Sequence, residues 1–389
     1  MIPPPPVPPP LVPLGDPLAV VRPAYGRGSL ADLLPSVSAV LGVPGATDVL
    51  GLGGRLGDVD RVAVLLIDGL GAYQMGLASA HAPILAQLDG DTLTSGFPST
   101  TPVSLATLGT GAPPGEHGIL GFTVRRPDGG VLNHIQWGSD PDPASWQPLP
   151  TRFETAVGAG IPATLVTRPG FRGSGLTTAC YRGAAFVGAA DPDALVAGML
   201  EALDRPGIVY GYHPDLDHHG HGSGVGSPAW ITAAVEVGRL ITRLAERLPP
   251  RCALLVTADH GQLNIPAEGR RDLALEPDLA AGVTGVAGEP RMRHLSVEPG
   301  AVDDVVAAYS QLSALVLTRD GAIAEGLFGP VPDAHRGRIG DVVVACLDHE
   351  VVLAGGWEPP NVGRLVAYHG SLTAAEMTVP LLSCVTPPL

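Results

Sequence analysis

Three apolar runs in this chain each stop where acidic or imidazole side chains begin. RVAVLLI (61–67) ends at Asp68, GIVYGY (207–212) at a histidine-rich stretch, and CALLVT (252–257) just before Asp259. Continuous apolar character over so few residues is that of a strand buried on both faces, as in parallel sheets. In an open α/β sheet, ligands sit beyond the carboxyl ends of such strands. Helical patterns lie between the runs, at 191–204 and 227–248, the second opening with Ser227 and Pro228 as cap and first helical residue. The expected fold is therefore α/β: a doubly wound, mostly parallel central sheet with helices on both faces.

Two segments fit this alternation poorly. Residues 123–155, rich in turns and tryptophan, read as a hairpin or small lid, and residues 265–345 as a small subdomain inserted into one catalytic-size domain spanning 17–389. Residues 1–16 hold the Pro-rich start MIPPPPVPPPLVPLGD. It has neither a basic region nor a continuous apolar one, so it reads as an unstructured polyproline II tail and not a signal peptide. With no apolar stretch of about 18 residues, no membrane span is expected, and the expected location is cytoplasmic. The formal charge of −15, without a basic run, argues against a nucleic-acid polymer as partner. Cys180, Cys252, Cys346 and Cys384 are far apart and unpaired in pattern, and read as small core residues.

The polar residues after the strand ends form a chemical set. Asp217 and His221 (D-x-x-x-H) fall on one side of a helical turn, although His218 and His219 are also on offer there. Asp259 and His260 are adjacent, so both reach one point only if the chain turns, which Gly261 permits. Asp68 at the end of a buried strand is costly unless paired or metal-bound. Thr101 follows Ser99 and Thr100 at the start of a helical pattern, where backbone N–H groups gather. His369 stands in VAYHGS near the end. Each residue alone has an ordinary structural role open to it, as a cap, a solvated loop or a core histidine. Together they offer oxygen and nitrogen donors for two divalent ions, a set suited to Zn²⁺, with Mn²⁺ or Fe²⁺ as alternatives.

The order of these motifs resembles the alkaline phosphatase superfamily, and within it the nucleotide pyrophosphatase/phosphodiesterase branch. The features that carry the resemblance are strand-Asp68-Gly, a threonine nine residues before Thr110-Gly111 leading into Pro114 and His117-Gly118, D-x-x-x-H-x-x-G, Asp-His-Gly, and a late His-Gly. The resemblance implies an alkaline-phosphatase-like domain in which Asp217, His221 and His369 hold one metal. Asp68, Asp259 and His260 would hold the other, with Thr101 as its reacting ligand and nucleophile. Gap-free spacing selects Thr101 over Thr100, and His117 falls to a structural role. The implied enzyme is a metal-dependent phosphodiesterase or pyrophosphatase that cleaves a small phosphate ester through a phospho-threonine-type intermediate. A phosphomonoesterase or phosphonate hydrolase of the same superfamily is the alternative, and a non-catalytic phosphate-ester-binding protein a remote one.

One departure bears on the substrate. Where the branch carries Thr-Phe-Pro-Asn, this chain has Thr101-Pro102-Val103-Ser104. Pro102 cannot stack on a base, and Ser104 replaces the amide as a shorter phosphate-binding donor. Phe122, Trp137, Trp146 or Tyr212 are the candidate substitutes for stacking. Arg125, Arg126, Arg168, Arg172, Arg291 and Arg293 are candidates for the extra charge a monoester would need.

Overall fold

The computed structural model describes residues 14–387; most of the Pro-rich tail, residues 1–13, lies outside the described residues. The central sheet has seven strands, in the order Asp89–Thr94, Thr378–Thr386, Cys252–Thr257, Arg61–Ile67, Gly207–His213, Ala163–Thr167 and Ala185–Gly188. The last five are mutually parallel, and Thr378–Thr386 runs antiparallel to both its neighbours. Helices complete the doubly wound architecture.

The three runs that stop at polar residues become three adjacent strands at the sheet's middle. Their burial is almost unbroken, as continuous apolar sequence requires. Register then fixes the site: Leu66 pairs with Tyr212 on one side and Thr257 on the other. The loops that begin at Asp68, Pro214 and Ala258 therefore leave the same edge of the sheet at the same height.

The expected helices form with their caps. Ser227 accepts a hydrogen bond from Trp230 N (3.2 Å) at the head of Pro228–Ala245, and Asp191 accepts one from Ala194 N (2.8 Å) at the head of Pro192–Ala202. Both stop two or three residues earlier than their patterns, the second ahead of Pro249 and Pro250, which disfavour helix in the residue before them.

Residues 123–133 hold a two-stranded hairpin, Thr123–Arg125 with Val131–Asn133. Further along, Val283–Glu289, Met292–Val297, Val342–Cys346 and Ala314–Thr318 make a four-stranded antiparallel sheet with its own core around Leu295, Val305, Tyr309 and Val344. This second sheet is tied to the main one by a fully buried ion pair. Arg291 donates from Nε to Glu376 Oε1 (3.0 Å) and from Nη2 to Glu376 Oε2 (2.6 Å). Cys180, Cys252 and Cys346 are buried, Cys384 half-buried, and none forms a disulfide. Among the described residues no helix is long and apolar enough to cross a membrane.

Candidate metal centre

Beyond the carboxyl ends of the three middle strands, the motif residues converge. Asp217 and His221 lie one turn apart on the helix Asp215–Ser223, with Asp217 Oδ2 3.4 Å from His221 Nε2. His369 reaches them from the end of the chain: its Nε2 is 3.2 Å from His221 Nε2 and 3.8 Å from Asp217 Oδ1. His218 is exposed and His219 half-buried, and their rings face each other instead of this cluster. His221 is thus the imidazole that the D-x-x-x-H spacing delivers.

The second cluster centres on His260, whose Nε2 lies 3.5 Å from Asp68 Oδ1, 3.4 Å from Asp259 Oδ2 and 3.2 Å from Thr101 Oγ1. Asp259 and His260 do reach one point, but Gly261 is not turned into the left-handed region. Its need for glycine is proximity, because a side chain there would run into the Ala375 carbonyl. Thr101 opens the helix Thr101–Thr110, and its hydroxyl also lies 3.5 Å from Asp68 Oδ2. Thr100, the N-cap, is fully buried and lies outside this set of contacts. The two clusters are joined by Asp217, which comes within 4.8 Å of both Asp68 and His260 ligand atoms as well as His221 and His369.

Hydrogen bonds around the clusters decide what their inward atoms can do. His221 Nδ1 is 2.8 Å from the Ala367 carbonyl, His369 Nδ1 3.0 Å from that of Ser99, and His260 Nδ1 3.2 Å from that of Gly261. A carbonyl only accepts, so each Nδ1 must carry the proton, and the tautomer follows from the network. In the neutral rings all three Nε2 atoms then present lone pairs inward. Two lone pairs facing each other across 3.2 Å repel unless a cation lies between or beside them. Asp68 Oδ1 and Asp259 Oδ2 are buried and have no hydrogen-bond partner among the described residues. Burial first, then the Asp259 and Asp217 carboxylates, push Asp68 well above the usual carboxylate range, and burial raises Asp259 as well. Burial, with His260 and His221 alongside, pushes His369 well below the usual imidazole range. These residues fit divalent cations: the donors are neutral nitrogens and orphaned carboxylate oxygens, already oriented by outer hydrogen bonds as metal ligands are.

Three supporting residues carried no clear signal in the sequence. Tyr212 donates its hydroxyl to Asp68 Oδ2 and so holds a candidate ligand in place. Gln262 donates to Asp217 from the loop after His260. Glu289, at the end of a second-sheet strand, lies 3.6 Å from His369 Nδ1. Gly370, at φ +130°, makes room for it, because a Cβ there would come within 2.7 Å of Glu289 Cδ.

Ser104 corrects an expectation. It is fully buried, with Oγ 2.8 Å from Ser95 Oγ, which donates to the Asp259 carbonyl (2.5 Å). Its short side chain is satisfied behind the loop and does not face a substrate. Trp137 and Trp146 are buried around His134, again packing residues. Phe122 does reach an open cavity of about 420 Å³ that is also lined by His221, His369, Glu289, Arg293 and Trp357. His117 is buried against Thr107 Oγ1 at 3.0 Å and accepts from Ile119 N, bracing the turn after the Thr101 helix.

The candidate arginines are mostly committed elsewhere. Arg168 pairs with Asp215, Arg126 with Asp128 and Asp140, Arg291 with Glu376, and Arg293 with Glu358. Arg172 lies over the Phe186 ring, and Arg125 is exposed on the hairpin.

Comparison with known proteins gives a consistent neighbourhood. The family profile described as type I phosphodiesterase / nucleotide pyrophosphatase matches residues 62–372. Murine ectonucleotide pyrophosphatase/phosphodiesterase 5 superposes with a TM-score of 0.66 at 18% identity, covering 83% of this chain and 87% of that one; an inactive variant of it is described in complex with AMP. Phosphonoacetate hydrolase from Sinorhizobium meliloti, in complex with phosphonoacetate, superposes with a TM-score of 0.64 at 20% identity, covering 84% and 90% of the two chains. At such identities the likeness is one of fold. A search of curated sequences gives no match.

Proposed function

From the premise that the chain belongs to the type I phosphodiesterase / nucleotide pyrophosphatase family of hydrolytic enzymes, we propose that it cleaves a diester or pyrophosphate bond of a small molecule, with Thr101 as nucleophile. The observation that carries this reading is the place of Thr101 Oγ1, at a helix N-terminus, 3.2 Å from His260 Nε2 and 3.5 Å from Asp68 Oδ2.

Asp217, His221 and His369 would hold one divalent ion and Asp68, Asp259 and His260 a second, Zn²⁺ suiting these donors best. When bound, such ions supply positive charge that favours ionisation of a hydroxyl and stabilises the oxygens of phosphorus in flight. Thr101 then attacks phosphorus, forming the Thr101 O–P bond as the ester bond opposite breaks and the departing alcohol takes up a proton. Water attacks the phosphoryl group next, breaking the Thr101 O–P bond and returning a proton to the threonine. Each displacement inverts phosphorus, so the net outcome is retention. Tyr212 and Gln262 keep the Asp68 and Asp217 carboxylates aimed inward throughout.

Charge favours a diester. Arg293 is the one arginine or lysine among the described residues lining the cavity, and its Nη2 already donates to both Glu358 oxygens, at 2.8 and 2.7 Å. A monoester's second negative charge, or the carboxylate of a phosphonate such as phosphonoacetate, would find no free cation there. The test is turnover of bis-p-nitrophenyl phosphate against p-nitrophenyl phosphate and p-nitrophenyl thymidine monophosphate. A diester is expected to be preferred, and a monoester preference of about tenfold, roughly 1.4 kcal/mol of transition-state binding, would overturn the reading.

A further inference from the structure

The buried pair of Arg291 and Glu376 is built in more detail than holding two sheets together requires. A buried ion pair adds little net stability over apolar residues of similar volume, so anchorage alone does not account for it. Each Glu376 oxygen has two donors. Oε1 accepts from Arg291 Nε and Ser371 N, both at 3.0 Å, and Oε2 from Arg291 Nη2 at 2.6 Å and Thr373 Oγ1 at 2.5 Å. Arg291 Nη1 donates to the carbonyls of Leu347, Asp348 and Glu350, in a turn where Asp348 takes the uncommon φ of +43°. Guanidinium and carboxylate are thus fixed in orientation as well as in charge.

Glu376 in turn holds the loops of the metal centre. Ser371, whose N–H donates to Oε1, stands two residues after His369. The Ser371 carbonyl accepts from Ser99 Oγ at 2.6 Å, and Ser99 N donates to the Gly370 carbonyl at 3.2 Å. The Ser99 carbonyl takes the His369 Nδ1 proton at 3.0 Å, which closes the chain of bonds on the ligand itself. On its other side, the Glu376 main-chain carbonyl accepts from Gly261 N at 2.9 Å, directly after His260. One residue therefore touches the loop of His369 with its side chain and the loop of Asp259 and His260 with its backbone.

We propose that Glu376 is a positioning residue of the centre: clamped by Arg291 from the second sheet, its carboxylate fixes where His369 stands relative to Asp217 and His221. This rests on the reading of these residues as a two-metal centre. The consequence is asymmetric. The carboxylate acts, through Ser371 and Ser99, on the site of Asp217, His221 and His369. The site of Asp68, Asp259 and His260 hangs instead on a main-chain carbonyl, which any residue at position 376 supplies. A role confined to anchoring the second sheet has no such asymmetry, because loosening the fold affects both sites or neither.

The test is calorimetric titration of the metal-stripped protein with Zn²⁺. The binding step that is missing from His221→Ala belongs to the site of Asp217, His221 and His369. In the double variant Arg291→Met/Glu376→Leu, where an apolar pair takes over the anchorage, that step is expected to weaken about tenfold, and the other by under about twofold. Ser99→Ala cuts the same chain of bonds without touching the ion pair and is expected to weaken the same step, so it carries the test if the double variant does not fold. Both steps unchanged, both weakened alike, or the other step weakened alone overturns the positioning role and leaves the two-metal reading standing. An unaltered protein that binds fewer than two Zn²⁺ overturns the two-metal reading and the positioning role with it.

Discussion

His221 and His369 face each other through their Nε2 atoms at 3.2 Å, each having committed its other ring nitrogen to a backbone carbonyl. With both rings neutral, neither nitrogen has a proton to offer, and the contact is repulsive in the absence of a cation.

Asp217 touches both clusters, whereas His221 belongs to one. Asp217→Ala is therefore expected to lower bound metal from about two ions per chain to fewer than one, and His221→Ala to remove about one. Elemental analysis of the purified proteins measures both. Equal losses in the two variants would contradict the shared role of Asp217. Chelation should also lower the melting temperature, because a ligand bound only by the folded state stabilises it.

The Tyr212 hydroxyl donates to Asp68, and Tyr212→Phe removes that bond without emptying the space. Loss of such an outer partner typically costs about 10- to 100-fold in metal affinity or activity. Metal titration of the stripped variant, followed by turnover at saturating metal, separates the two effects. A Tyr212→Phe protein with unaltered affinity would mean that the hydroxyl is idle.

Arg291 and Glu376 are both fully buried. Arg291→Met leaves the Glu376 carboxylate buried and unpaired, an effect of about 3–5 kcal/mol, while a companion Glu376→Leu change should recover much of it. Urea unfolding of the single and double variants gives the comparison.

Acid should destabilise the protein through histidines remote from the centre. Burial lowers both His134 and His294 to about 4. The unfolded value is near 6.5, so the unfolded chain binds more protons between these limits. The stability these residues contribute is complete above about pH 6.5 and is lost as pH falls toward 4, by about 3 kcal/mol each. His134→Gln should flatten the dependence of the unfolding midpoint on pH between 4.5 and 6.5; an unchanged slope would contradict the assignment.

The parts of this site that could be read in the sequence are those set by local chemistry. The runs at 61–67 and 252–257 are strands with those very bounds, because burial on both faces demands unbroken apolar sequence. The ligands follow because each stands within a few residues of a strand end or on one helical turn. Glu289 has no local signal, because its neighbour His369 is 80 positions away and only the second sheet brings them together. Ser104 departs from its expected position for a related reason. Its distance from Thr101 along the chain is right for a phosphate contact, but its partner, Ser95, is a matter of packing. The strand Thr378–Thr386, which contains Pro380, has no alternating signal, yet it pairs with Cys252–Thr257 on one side and the edge strand Asp89–Thr94 on the other.

The central claim is that Thr101 carries the phosphoryl group. Rapid acid quench of the metal-loaded protein with bis-p-nitrophenyl phosphate, followed by tandem mass spectrometry, locates any covalent adduct. The account predicts an adduct on Thr101, and in Thr101→Ala no adduct, full metal content and turnover lower by about 10³-fold or more. An adduct on Thr100, or a Thr101→Ala protein that turns over near the original rate, would contradict it.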